Sequence, residues 1–208
     1  MKKLSLACLV PAFAASLLAQ PPASTVRAGT AVISGENPYM RLLDKEGGKV
    51  VTQVSFWRVY WSPAGPGTVC YVTVGEQGQP DAKRIALYDN EKLYDYLTNQ
   101  VMGVRTKAYI DWPFEKVGKA KFKETGDSIH ERTESCLGGK YKIVLGWHDL
   151  ADPQLVDYAP GSQPGNPFGL TFFNLIAKSA DVTINGKKAP GTTFGGSAAV
   201  FGESWLKK

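Results

Sequence analysis

The segment VVTQVSFWRVYW, residues 50–61, decides the fold class, because its bulky side chains alternate along the chain. Up to Phe56, apolar or β-branched residues occupy every second position, which is the two-residue period of a β-strand. The phase then changes, and Trp57, Val59 and Trp61 carry the bulk. Since a strand changes face only by gaining a residue, the sequence predicts a β-bulge or sharp bend near Phe56 and Trp57.

Further strands are predicted on both sides of this segment. A Pro/Gly-rich turn at 62–67 ends it, and the β-branched and aromatic residues 68–74 form its hairpin partner. Asn185-Gly186 is the strongest hairpin signal, because both residues accept a positive φ. The other predicted strands are 84–88, 105–110, 116–123, 128–134, 141–147, 170–177, 182–184 and 198–206.

One helix is predicted between the strands. It begins after Asp89 or Asn90, whose short polar side chains suit a helix N-cap, and ends at Gly103. Three apolar residues at four-residue spacing form its buried face: Leu93, Leu97 and Val101.

The predicted fold class is therefore mainly β, an antiparallel β-barrel or a sandwich with one short helix. The barrel is lipocalin-like only by analogy, because the first strand lacks the Gly-x-Trp signature of that family. We expect residues 31–208 to form a single β-rich domain, preceded by a tether at 20–30.

The start of the chain indicates export. Residues 1–19 combine a basic start with an uncharged Leu/Ala-rich run, which is typical of a secretory signal peptide cleaved after Ala19. The expected location is periplasmic or extracellular, with no membrane span in the mature chain. Without Lys2 and Lys3, 22 of the 24 basic residues remain against 19 acidic ones, a net charge of +3. So small a charge argues against a nucleic-acid partner.

Cleavage also changes the cysteine count. It removes Cys8 and leaves Cys70 and Cys136. Two cysteines in an oxidising compartment have one intramolecular pairing, so a Cys70–Cys136 disulfide is predicted. Two buried thiols that never meet are the alternative.

His148 is the first candidate for chemistry, because it ends a strong strand next to a loop. It is a candidate general base, and with Asp149 and Asp152 it has side chains suited to a divalent metal. An exposed histidine beside a turn is the simpler interpretation. Phosphate-binding, dinucleotide-binding and nucleophile-elbow motifs are absent, so no cofactor and no metal are predicted.

Glu131 is the second candidate. If Thr125-Gly126 is the centre of a tight turn, Phe122 faces Ile129, and Glu131 and Thr133 point inward. A carboxylate inside a barrel is costly unless it is paired or hydrated, which suggests a polar patch in a cavity. A register slip of one residue would instead place Glu131 in water.

The resulting hypothesis is an exported β-barrel protein that binds a small, partly apolar or aromatic-stacking ligand. Trp57, Trp61 and Trp147 would form the apolar walls, Glu131 would orient a polar group, and the Pro/Gly-rich loop 159–169 would gate entry. Core packing is the alternative role for these aromatic residues. Two other functions remain open: an isomerase, lyase or hydrolase using Glu131 and His148, or an envelope or surface interaction module without a pocket. The sequence does not fix the oligomeric state.

Overall fold

The computed structural model describes residues 29–76, 78–127, 130–163 and 166–207, so the predicted signal peptide and most of the tether lie outside the described residues. The described chain is mainly β. Its strands are β1 (Thr30–Glu36), β2 (Tyr39–Leu43), β3 (Val50–Trp61), β4 (Gly67–Val74), β5 (Lys83–Tyr88), β6 (Glu115–Val117), β7 (Lys121–Thr125), β8 (Glu131–Gly138), β9 (Tyr141–Leu150), β10 (Gln154–Tyr158), β11 (Gly169–Ile184), β12 (Lys187–Lys188) and β13 (Ala198–Lys207). The helical segments are α1 (Glu91–Tyr96), a π-helix (Leu97–Met102), α2 (Gly103–Arg105) and α3 (Ala108–Asp111).

The strands form one long sheet in the order β6-β5-β4-β3-β1-β13-β11-β9-β8-β7. Strands β10 and β12 pair with β11, while β2 pairs with both β13 and β3. The pairs are antiparallel except for β5 with β6. Within the described residues no ladder joins β6 to β7, so closure into a barrel is not confirmed.

Two apolar cores hold this sheet. In the first, one half of the sheet packs on the other: Phe56 of β3 contacts Phe122 of β7, with ring centroids 5.9 Å apart. In the second, the helical segments cover the opposite face of β3 and β4, where Trp57 and Tyr71 are buried against Leu97. The sheet therefore buries both of its faces near β3.

This double burial explains the change of phase at Phe56 and Trp57 without a bulge toward β4; the register shift of β3 lies slightly further on, where Ser34 and Gly35 of β1 pair with Trp61 and Val59. The β3–β4 register runs unbroken from Thr52 to Val59. Phe56 belongs to the first core and Trp57 to the second, so bulky residues occur consecutively without an extra residue. At the same point β3 changes its other partner from β2 to β1.

The helix prediction is confirmed at its start and corrected at its end. Asn90 caps α1, its Oδ1 accepting a hydrogen bond from the Leu93 amide at 3.3 Å. The three apolar residues are fully buried: Leu93, Leu97 and Val101. Gly103 does not end the helix but begins α2. A Cβ at this position would crowd the carbonyl of Thr98 and the side chain of Ile110, which favours glycine there.

Of two other predictions in the chain, one is confirmed and one is wrong. Asn185 and Gly186 form the predicted turn with φ values of 52° and 79°. Residues 105–110, predicted as a strand, are instead largely helical.

Among the described residues, no helix has the length and apolarity needed to cross a membrane.

Candidate ligand-binding site

Five charged side chains meet between β1, β3, β7 and β8, and we call them the charged network. They are Glu36, Arg58, Glu124, Arg132 and Glu134. Two features of the sequence place them there. Buried and exposed side chains alternate along β8, so that Arg132 and Glu134 point inward while Glu131 is exposed. Gly35 has no side chain, which lets β1 lie close against β3.

Each carboxylate of the network is shared by both arginines. Glu134 lies 2.9 Å from Arg58 Nη2 and 2.6 Å from Arg132 Nη2, and its side chain is completely buried. Glu124 contacts Arg58 directly and Arg132 at 3.3 Å. Glu36 Oε2 lies 2.5 Å from Arg132 Nη2 and 3.8 Å from Arg58 Nη1. With every group ionised, three carboxylates against two guanidinium groups leave one negative charge.

Burial and pairing act against each other in this network. Burial raises the pKa of Glu134, and the charges of Arg132 and Arg58 only partly offset the rise. For Arg132, burial lowers the pKa, but Glu134 and Glu36 outweigh it and the net shift is upward. The arginines therefore remain charged and hold the carboxylates in place.

Glu36 is the carboxylate of the network that also contacts Tyr60, a residue outside the network. Tyr60 donates a hydrogen bond to Glu36 Oε1, and burial together with this bond raises the pKa of Tyr60 to about 12. Glu36 Oε2 is buried and lies 2.5 Å from Arg132 Nη2, so its charge is paired within the network.

A pocket of about 540 Å³ opens beside the charged network. Glu36, Glu124 and Arg132 form its polar side. Its apolar side consists of Pro153, Phe173, Leu175 and Val200. We call it the network pocket; it has the size and the mixed lining of a small-molecule site.

Phe173 is positioned by the glycine opposite it. Phe173 on β11 pairs with Gly202 on β13, and its ring occupies the space that a side chain at 202 would fill. The ring stays 43% exposed and separates the network pocket from a shallower pocket of about 360 Å³ that also contacts Glu36, Tyr60 and Leu155.

The tryptophans predicted as pocket walls lie elsewhere. Trp57 and Trp147 are fully buried, and their indole nitrogens donate to Ser55 Oγ at 3.0 Å and to the Tyr39 carbonyl at 2.9 Å. Trp61 is about half exposed. None of the three lines the network pocket or its shallower neighbour.

Glu131 and His148 are brought together, but on the outer face of the sheet. They are cross-strand partners on β8 and β9, and Glu131 is exposed. His148 Nε2 lies 2.8 Å from Asp181 Oδ2, above Gly146, where a side chain would collide with the ring. Neither residue lines the network pocket, and their catalytic role stays a prediction.

The hairpin register explains the difference for Glu131. Phe122 pairs with Cys136 rather than Ile129, and Thr125 pairs with Thr133. The connection is longer than a tight Thr125-Gly126 turn, so the inward positions move by one residue to Arg132 and Glu134.

The cysteines lie together between the two halves of the sheet. Cys70 on β4 and Cys136 on β8 are buried, unbonded and 3.8 Å apart. Their contact and burial raise the pKa of the Cys136 thiol. The disulfide stays a prediction, now with a defined place in the first core.

Neither the possible metal ligands near His148 nor the loop 159–169 predicted to gate entry lines the network pocket. In the described part of the chain, no group of three His, Cys, Asp or Glu residues has a geometry that could hold a metal ion, and Asp149 and Asp152 are exposed. Pro167 and Phe168 of the predicted gate line a different pocket, of about 580 Å³.

Sequence reasoning did not single out Glu36, Arg58, Arg132 or Glu134. The available signal was the charged alternation of β8, where Glu131, Arg132 and Glu134 stand close together in the sequence. Its phase decides which charges are buried, and the phase depends on a turn length that the sequence left open.

Comparison with known proteins adds little to this geometry. No protein-family model matches the sequence, and no curated protein matches it. One solved structure, a crystal structure of acetoacetate decarboxylase from Legionella pneumophila, aligns with a TM-score of 0.40 and 10% identity. The alignment covers 86% of this chain and 85% of that one, and the similarity is too low to carry over an activity.

Proposed function

We propose that this protein is exported and binds a small molecule with an apolar body and a cationic or hydrogen-bond-donating end. The network pocket is the site: Leu175, Val200 and Phe173 contact the apolar body, and Glu36 accepts from the polar end. The observation that carries the proposal is the lining of the network pocket: an apolar wall faces Glu36 and Glu124, which belong to a network with one more carboxylate than guanidinium groups.

The charge of the network decides between a cation and an anion. Both arginines are already shared among three carboxylates, so their positive charges are offset within the network. An ammonium group would balance the excess carboxylate, whereas a carboxylate would add to it. The expected ligand is therefore an amine rather than an acid.

A matched set of probes tests this preference. Phenethylamine, 2-phenylethanol and hydrocinnamate share an apolar body and carry a cationic, a neutral and an anionic end. By isothermal titration calorimetry we expect phenethylamine to bind at least about tenfold tighter than hydrocinnamate, or about 1.4 kcal/mol. Equal affinity, tighter binding of the acid, or no binding of the amine would contradict the proposal.

A pair of variants locates the binding. Phe173→Ala removes an exposed pocket wall, and Leu137→Ala removes a side chain of nearly the same exposure, 44% against 43%, outside the pockets. The loss of aromatic contact should weaken phenethylamine binding by about tenfold in the first variant only. Similar weakening in both variants would place binding elsewhere.

A further inference from the structure

A second pocket, of about 200 Å³, lies on the opposite face of β13 from the network pocket. Val200 lines the network pocket and the next residue, Phe201, lines this one, as expected for successive residues of a strand. We call it the arginine pocket, since Arg41 of β2 and Arg105 of α2 stand on its lining.

The arginine pocket has cations without partners. Among the described residues, neither Arg41 nor Arg105 lies within 4.0 Å of a carboxylate oxygen, whereas both arginines of the charged network contact carboxylates. Arg105 stacks over the Trp205 ring at 5.0 Å, which holds its guanidinium without using its hydrogen-bond donors. Two unpaired guanidinium groups at one pocket favour an oxyanion.

Three largely buried polar side chains line the inner wall of the arginine pocket. Asn37, Ser55 and Tyr109 are buried there, at 7%, 5% and 4% exposure. Behind Tyr109, Arg84 donates to the Ala108 carbonyl at 2.9 Å, but its buried Nε has no hydrogen-bond acceptor among the described residues. Burial raises the pKa of Tyr109, and a hydrogen bond with Ser55 together with the charges of nearby arginines opposes the rise.

One acidic group faces the same region. Glu203 shares its face of β13 with Phe201 and Trp205, and is 6% exposed. Burial raises its pKa to about 7, and Trp205, Asn37 and Arg105 only partly offset the rise. Neither Glu203 Oε1 nor Trp205 Nε1 has an aligned hydrogen-bond partner among the described residues. Glu203 therefore keeps its proton to a higher pH than an ordinary carboxyl group does, which lessens its repulsion of a bound anion.

We propose that the arginine pocket binds a small carboxylate, with Arg41 and Arg105 holding the carboxylate group and Asn37, Ser55 and Tyr109 contacting the remainder. This site is separate from the network pocket and takes a ligand of opposite charge. Its planar guanidinium groups match a carboxylate in geometry, and phosphate is the other oxyanion they would accept.

Calorimetric titration with succinate, benzoate and inorganic phosphate tests the assignment. We expect succinate or benzoate to bind, and Arg41→Met and Arg105→Met each to weaken that binding by about tenfold. Lys92→Met, which removes an exposed charge from α1, should leave it unchanged. Thermal unfolding of each variant verifies that the fold is intact.

Three results would overturn the proposal. These are the absence of carboxylate binding at millimolar concentration, binding of phosphate alone, and equal weakening by Lys92→Met and the arginine variants. Phenethylamine titrated into Arg41→Met separates the two sites, because its affinity should not change. If phenethylamine fails to bind the parent protein while succinate binds and depends on Arg41, only the network-pocket proposal fails.

Discussion

Replacing Glu203 by Gln isolates the effect of one buried carboxyl on stability. The side chain is 6% exposed, and burial raises its pKa to about 7 from the model-compound value of 4.5. Gln has nearly the same shape but does not ionise. The variant therefore removes the titration and leaves the packing.

The magnitude follows from the difference in pKa between the folded and unfolded states. A raised folded-state pKa means that the folded protein binds the proton more tightly, so this contribution to stability is complete below about pH 4.5. It is lost as the pH rises through about 7. The rise from 4.5 to about 7 corresponds to about 3 kcal/mol. Between pH 4 and pH 8, Glu203→Gln should gain about 3 kcal/mol of stability relative to the parent protein.

Urea denaturation at pH 4, 6 and 8 measures this change as a difference between two proteins. Other titrating groups cancel in that difference, and Glu46→Gln, at an exposed position, is the matched control for the substitution itself. A stability difference between Glu203→Gln and the parent that stays constant from pH 4 to pH 8 would refute the reasoning. It would show that Glu203 keeps an ordinary affinity for protons.

Three other predictions concern the network, the cysteines and the outer face. Arg132→Met leaves the buried Glu134 without one of its partners and should cost about 3–5 kcal/mol in urea denaturation; a loss below about 1 kcal/mol would contradict a structural network. Protein from an oxidising compartment should carry a Cys70–Cys136 disulfide worth roughly 4 kcal/mol, seen as altered migration on non-reducing gels; two alkylatable thiols in denaturant would exclude it. His148→Ala should leave phenethylamine affinity unchanged, because His148 lies outside the network pocket; a large loss would move the site to the outer face.

Local signals in this sequence were sufficient where a single interaction decides the structure. Asn185-Gly186 fixes its turn through two positive φ angles, and Asn90 fixes the helix start through one hydrogen bond. Period-two alternation was likewise enough to identify the mainly β class.

The site could not be predicted in the same way, because it depends on distant pairings. Whether Glu131 or Arg132 points inward follows from the length of the β7–β8 connection. Glu36 and Arg58 are adjacent only because β1 pairs with β3, and Gly35 permits that approach. No local pattern of residues encodes these contacts.

Strand β13 forms a wall of both pockets, with Val200 on one side and Phe201 on the other. A point substitution at either residue changes the lining of one pocket and leaves the lining of the other unchanged. An inserted or deleted residue in β13 would exchange the two faces along the rest of the strand, placing Glu203 and Trp205 on the wrong side. Sequence change in this strand is therefore tolerable residue by residue but not in length, and length variation should be confined to the loops beyond its ends.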